Sequence, residues 1–126
     1  MTSIRVLTVD DHPAFRDAAR ALIDATPGFE VAGEVDSGED AVGAVMRLRP
    51  DLVLMDVGLS GIDGYEATRR LRYVRPATVI VLVSASDDAL EGETAVTCGA
   101  VAWVRKQDLR PRLLRELWQI HGTSRG

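Results

Sequence analysis

Hydrophobic and polar positions along the chain fall into short alternating blocks of two kinds. Five runs are apolar and rich in β-branched residues: Ile4–Val9 (IRVLTV), Phe29–Val35 (FEVAGEV), 52–55 (LVLM), 78–83 (TVIVLV) and 101–104 (VAWV). The third and fourth are nearly continuous hydrophobics, the pattern of central strands covered on both faces. Phe29–Val35 alternates more, which suits a strand nearer a sheet edge. Between these runs the apolar residues recur at helical spacing. Residues 14–25 place Phe15, Ala18, Ala19, Leu22 and Ile23 on one face, with Pro13 where a first-turn proline is tolerated. Ser37 is expected to cap residues 39–48, whose inner stripe is Ala41, Val42, Val45, Met46 and Leu48. Residues 63–73 turn Tyr65, Ala67, Thr68 and Leu71 inward and arginines outward. Residues 111–120 repeat the pattern with Leu113, Leu114, Leu117 and Trp118. Residues 87–98 carry the weakest helical signal: Gly92 costs about 1 kcal/mol relative to alanine there, and Gly99 is a natural stop.

The order is strand then helix, five times over, with short connections and no repeats. Such alternation implies a parallel sheet with right-handed crossovers and helices on both faces. Five strands favour a flavodoxin-like (βα)5 doubly wound sheet of order 2-1-3-4-5 over a closed barrel, which needs about eight. Residues 1–121 are expected to form this one domain, and residues 122–126 a flexible tail or the start of a linker.

Composition narrows the function. The 126 residues carry a formal net charge of −4, which argues against direct nucleic-acid binding by this segment, because phosphate neutralisation needs a basic face. The single cysteine, Cys98, excludes an internal disulfide and suits a reducing compartment. No apolar run approaches the ~20 residues that span a bilayer, and the N-terminus lacks a secretory layout. A soluble cytoplasmic domain without membrane contact is the expectation.

In an open sheet of this order, ligands bind beyond the carboxyl ends of strands 1 and 3. Asp10 and Asp11 leave the first of these strands, and Asp56 leaves the third. Three carboxylates converging on one crevice cannot all stay ionised unless a cation joins them. A hard divalent ion, Mg²⁺ above all, resolves the conflict and leaves waters for a phosphate to replace. Taken singly, each aspartate is as readily a helix or turn cap; the trio is harder to explain that way. Ser84 and Ala85 follow the fourth strand and Lys106 the fifth, on the same rim. A hydroxyl can donate to a phosphoryl oxygen and an ammonium can neutralise part of its charge, although alone they would pass as a solvated serine and a surface lysine. His12 adjoins the pocket and is read as a loop or capping residue, since a lone histidine is more often that than a ligand. Arg69, Arg70, Arg72 and Arg75 read as a solvated helix face, and Cys98 as a small packing group.

Several runs carry a family resemblance. Val9-Asp10-Asp11-His12-Pro13-Ala14-Phe15-Arg16 resembles the opening of response-regulator receivers, especially those with a helix-turn-helix DNA-binding output domain. Pro50-Asp51-Leu52-Val53-Leu54-Met55-Asp56-Val57 resembles the stretch holding the phosphoacceptor aspartate, and Gly61-Ile62-Asp63-Gly64-Tyr65-Glu66 is similar to the turn and helix start that come after it. Ser84-Ala85 sits at the family's hydroxyl-then-small pair, and Gly99-Ala100 followed by Lys106 matches the approach to its lysine. The resemblance runs the length of the chain. It implies that Asp56 accepts a phosphoryl group from a sensor histidine kinase or a small phosphodonor. It implies Mg²⁺ held by Asp10, Asp11, Asp56 and the backbone carbonyl of Gly58. It also implies that Ser84 and Trp103 act as a coupled switch, repacking the face formed by the 87–98 segment, the fifth strand and the last helix.

The sequence departs from that pattern in three places. Leu59-Ser60 replaces a common Met-Pro, so a less rigid loop is expected. Gln107 replaces a common proline after the lysine, so a trans peptide is expected there. Trp103 replaces a smaller aromatic ring, so incomplete burial on switching is expected. A flavodoxin would want a neutral, hydroxyl-rich loop after strand 1, and a haloacid-dehalogenase-type phosphatase an Asp-x-Asp motif there; neither is present. The alternative is a stand-alone receiver or pseudo-receiver acting only as a protein-interaction module. The first-helix motif instead favours a piece of a longer transcription factor that reaches DNA through another domain. Acidic residues Asp87, Asp88, Glu91 and Glu93 facing basic Arg110, Arg112 and Arg115 would allow a homodimer on activation.

Overall fold

A computed structural model describes residues 3–85, 94 and 97–122. Strands β1 (Ile4–Val9), β2 (Phe29–Val35), β3 (Leu52–Asp56), β4 (Val79–Ser84) and β5 (Ala102–Arg105) form one sheet, in the order β2-β1-β3-β4-β5. Every pairing is parallel. This is the expected doubly wound, flavodoxin-like arrangement. The two continuous apolar runs are β3 and β4, interior and buried along their whole length, while alternating β2 lies at an edge.

Side-chain alternation along the strands builds two apolar layers. Leu7, Val9, Val53, Met55, Ile80 and Leu82 face helices α2 (Gly38–Leu48) and α3 (Gly64–Val74), which contribute Ala41, Ala44, Val45, Ala67 and Leu71. Val6, Leu52, Leu54, Val79, Val81 and Val83 face the other side, where α1 (Pro13–Asp24) supplies Ile23 and the C-terminal helix Pro111–His121 supplies Leu114 and Leu117. Residues buried on both faces in this way contribute about 1.5–3 kcal/mol each.

The local signals act as their chemistry dictates. Pro13 opens α1, the Ser37 hydroxyl accepts from the Asp40 N–H at the start of α2, and the Asp63 carboxylate accepts from the Glu66 N–H at the start of α3. Two expected inner residues face outward. Met46 is 63% exposed, and Ala44 is buried in the α2 stripe instead; Ala18 is exposed on α1. The buried residues of α2 fall at Ala41, Ala44 and Val45, and a step of one residue turns a helix by about 100°, which carries Met46 off the face. The expected helix over residues 87–98 lies largely outside the described residues; Thr94, Thr97 and Cys98 have helical backbone, and Cys98 is buried. Among the described residues no peptide bond is cis, so the one after Lys106 is trans as expected. Among the described residues no helix is long and apolar enough to cross a membrane.

Candidate functional site

Sheet register brings the acidic residues level. Val9 pairs with Met55, so Asp10 comes opposite Asp56 one step further on, across a strand spacing of about 4.8 Å. Asp56 is in register with Val83 and Ser84 with Arg105, so Ser84 and Lys106 extend the same rim. Asp10 and Asp56 are almost wholly buried. Asp11 is half-buried, Ser84 is buried, and Ala85 is exposed just beyond it.

The loop after β1 folds around the Asp10 carboxylate. The His12 N–H donates to Asp10 Oδ1 at 2.8 Å, closing the short aspartate turn that precedes α1, and Arg16 donates to the Asp10 carbonyl at 2.8 Å. Lys106 Nζ lies 2.7 Å from Asp10 Oδ2 and 3.5 Å from Asp56 Oδ1, with its ammonium 4.5 Å above the Phe15 ring. The Gly58 N–H donates to Asp56 Oδ1 at 3.3 Å. Ser60 Oγ donates to Asp11 Oδ2 at 3.1 Å, and Leu59 is buried among the apolar residues of the α2–α3 layer. The Leu59-Ser60 loop thus makes one hydrogen bond to Asp11 and buries one leucine. His12 Nδ1 stands 2.9 Å from Asp10 Oδ1, 3.1 Å from Asp11 Oδ1 and 3.8 Å from Asp56 Oδ2.

No sequence signal marks Ser60, Phe15 or Arg16 as pocket residues, and His12 reads there as a cap. His12 does occupy the N-cap of α1, but its side chain makes no capping hydrogen bond and leans over the carboxylates. Phe15 is legible as an inward residue one turn into α1; its place under the lysine needs the fold. Trp103 is half-buried against the α2–α3 layer, and its indole N–H is buried without a hydrogen-bond partner among the described residues.

Electrostatics set the state of Asp56. Burial, and then the neighbouring Asp10 charge, push its carboxyl above the ordinary value of 3.8, against the opposing pull of Lys106 and the Gly58 N–H. Its Oδ2 accepts no hydrogen bond among the described residues. A raised folded-state pKa means stability that is complete below the unfolded value and is lost as pH rises through the folded value. Asp56→Asn removes that loss. In a chelator the variant is expected to be more stable than the native chain at pH 7, with the gain shrinking as pH falls towards 4. Urea unfolding of both proteins at the two pH values measures it, and a gain that does not change with pH would contradict the assigned cause.

Comparison with known proteins agrees with this fold. Residues 6–117 match the family model described as the response regulator receiver domain. The chain is 40% identical over 112 residues to protein-glutamate methylesterase/protein-glutamine glutaminase 1 of Syntrophus aciditrophicus, with 86% of this chain and 32% of that protein covered. It is 38% identical over 104 residues to transcriptional regulatory protein LiaR of Bacillus subtilis, with 82% and 49% covered. A crystal structure of a two-component response regulator of the LuxR family from Aurantimonas sp. SI85-9A1 superposes with a TM-score of 0.85 at 31% identity, over 94% of this chain and 84% of that one. The chain thus spans a third to a half of the length of these two curated relatives.

Proposed function

This chain belongs to the response regulator receiver family, and from that membership we propose that it accepts a phosphoryl group on Asp56 from the phosphohistidine of a sensor histidine kinase. The observation that carries the reading is Asp56 itself. It is a buried carboxylate with one oxygen that accepts no hydrogen bond among the described residues, set between two further aspartates and a lysine. The Asp56 oxygen attacks phosphorus, the bond from phosphorus to the donor's imidazole nitrogen breaks, and an acyl phosphate forms. An ionised carboxylate needs no general base for this step, so the protein's part is positioning and charge neutralisation.

The residues fit Mg²⁺. Asp10, Asp11 and Asp56 offer hard oxygen ligands close together, and Asp11 Oδ1 and Asp56 Oδ2 are buried without hydrogen bonds among the described residues. These three and the Gly58 carbonyl would hold the ion, which supplies neutralisation of the transferring oxygens when bound. Lys106, already 3.5 Å from Asp56 Oδ1, neutralises a further part of the charge. Ser84, with Ala85 leaving room beside it, donates its hydroxyl to the new phosphoryl group. The same groups promote the domain's own phosphorylation and dephosphorylation. The direct test is the mass of the intact protein after acetyl phosphate with Mg²⁺: one phosphoryl group is expected, and none with a chelator. No gain in either condition would remove the reading.

Signalling would run through Ser84 and Trp103 to the face of β5 and the C-terminal helix, and to the expected 87–98 helix, most of which lies outside the described residues. Leu82 pairs with Trp103, two residues from Ser84, so a shift at the hydroxyl has a short path to the indole. The buried indole N–H lacks a partner among the described residues, which disfavours a fully inward ring and makes the switch a population shift. In a Trp118→Phe background, beryllofluoride with Mg²⁺ is expected to change Trp103 emission and iodide quenching, and Ser84→Ala to blunt the change. Unchanged emission with bound beryllofluoride would exclude Trp103 as the relay. The likeness to a transcriptional regulator supports an output in transcription through a DNA-binding domain outside residues 1–121, in the cytoplasm. Pairing of two activated copies would use Arg110, Arg112 and Arg115; the acidic residues proposed to meet them lie outside the described residues.

A further inference from the structure

His12 leans over the three carboxylates, yet the receiver reading gives it no task; the role argued for it here rests on that reading. The carboxylate oxygens are divided between two nitrogen-bearing side chains. Lys106 Nζ approaches Asp10 Oδ2 and Asp56 Oδ1. His12 Nδ1 faces the other set, one oxygen from each carboxylate: Asp10 Oδ1, Asp11 Oδ1 and Asp56 Oδ2. The last belongs to a side chain only 4% exposed and accepts no hydrogen bond among the described residues. A buried carboxylate oxygen left in that condition points to a cation.

The spacing is close to that of a coordination shell, and a contraction of about half an ångström would complete it. One ligand atom from each of Asp10, Asp11, His12 and Asp56 lies within 4.8 Å of the others. Ligands about 2.1 Å from a six-coordinate ion sit roughly 3 Å apart when adjacent and roughly 4.2 Å when opposite. The 2.9 and 3.1 Å separations from Nδ1 match adjacent positions, and the 3.8 Å separation lies between the two. An imidazole changes what such a site selects. Mg²⁺ takes oxygen ligands and water, whereas imidazole nitrogen suits Fe²⁺, Ni²⁺, Cu²⁺ and Zn²⁺, and affinity for a given nitrogen–oxygen site rises from Mn²⁺ to Cu²⁺ before falling at Zn²⁺.

We propose that His12 Nδ1 is a direct ligand which, with Asp10, Asp11 and Asp56, makes this pocket a mixed nitrogen–oxygen site preferring divalent transition ions to Mg²⁺. Nδ1 binds through its lone pair and the ring proton resides on Nε2. The imidazole is 65% exposed, so its removal leaves the core untouched.

Pulsed electron paramagnetic resonance of the whole chain loaded with Mn²⁺ is the decisive experiment. The native protein is expected to show nitrogen-14 modulation of a directly bound imidazole, absent in His12→Ala. Calorimetric titration is expected to show Mn²⁺ and Zn²⁺ binding weakened about tenfold or more by His12→Ala, with Mg²⁺ binding little altered. Mn²⁺ bound without nitrogen modulation, and with equal affinity in the variant, would overturn the role of His12 and leave the receiver reading intact. Failure of every divalent ion to bind would overturn both the ligand assignment and the metal site beneath it.

Discussion

Asp56→Asn takes up no phosphoryl group from acetyl phosphate and Mg²⁺, whereas the native chain gains one: this is the largest functional effect the structure leads us to expect. The amide has no anionic oxygen to attack phosphorus, and the substitution also removes one of three carboxylates gathered where β1 and β3 end. Loss of the nucleophile and loss of a metal ligand act together, so labelling should fall to background rather than slow by a small factor. Asp51→Asn is the matched control. Asp51 precedes the same strand, but its Oδ2 accepts from the Arg5 N–H at 2.9 Å, at the opposite end of the sheet. That variant is expected to label like the native chain. Equal labelling of Asp56→Asn would place the acceptor elsewhere. Its expected gain in stability at neutral pH argues against misfolding as the cause of a negative result, and circular dichroism of the variant checks the fold directly.

Much of this site is legible in the chain alone because strands 1 and 3 are hydrophobic runs with sharp ends. The parallel rule for open sheets turns Asp10, Asp11 and Asp56, distant in sequence, into one cluster. Ser84 and Lys106 are legible for the same reason, at the ends of β4 and β5. What the chain hides depends on side-chain direction rather than on position. His12 follows two aspartates and fills an N-cap, and nothing in its neighbours tells whether the ring turns to water or across the carboxylates. Ser60 reaches Asp11 over 49 positions of sequence through a loop with no periodic signal. Met46 shows the same limit in the core: Ala41 and Val45 belong equally to a stripe that includes Met46 and to one that includes Ala44, and only where the neighbouring elements pack tells the two stripes apart.

Gly64 is the clearest case of a residue whose importance comes from a close approach. Propensity alone recommends alanine there, since an alanine in a helix is favoured by about 1 kcal/mol over glycine. Packing reverses the sign. A Cβ at Gly64 would stand 2.2 Å from the Asp56 carbonyl oxygen and 2.9 Å from Val57 Cα, both backbone atoms that no rotamer change can clear. The Gly64 N–H also donates to the Val57 carbonyl at 3.1 Å, so the start of α3 is fastened to the residue that follows Asp56. Gly64→Ala must push these apart. With overpacking in a buried region costing about 1–3 kcal/mol, and more where only backbone can yield, a net loss of roughly 2 kcal/mol and a fall in melting temperature of about 5–10 °C are expected. The displaced Asp56 should accept the phosphoryl group on the order of tenfold more slowly or worse, because small misplacements at a reacting atom are costly. Gly43→Ala supplies the opposite sign. Gly43 is an interior residue of α2 whose added Cβ would meet nothing within 4 Å, so that variant should gain about 0.4–1 kcal/mol and label normally. Thermal unfolding and labelling of the pair decide the matter: a Gly64→Ala protein that melts at or above the native temperature would show that helix propensity, not the contact with the Asp56 peptide, governs this position.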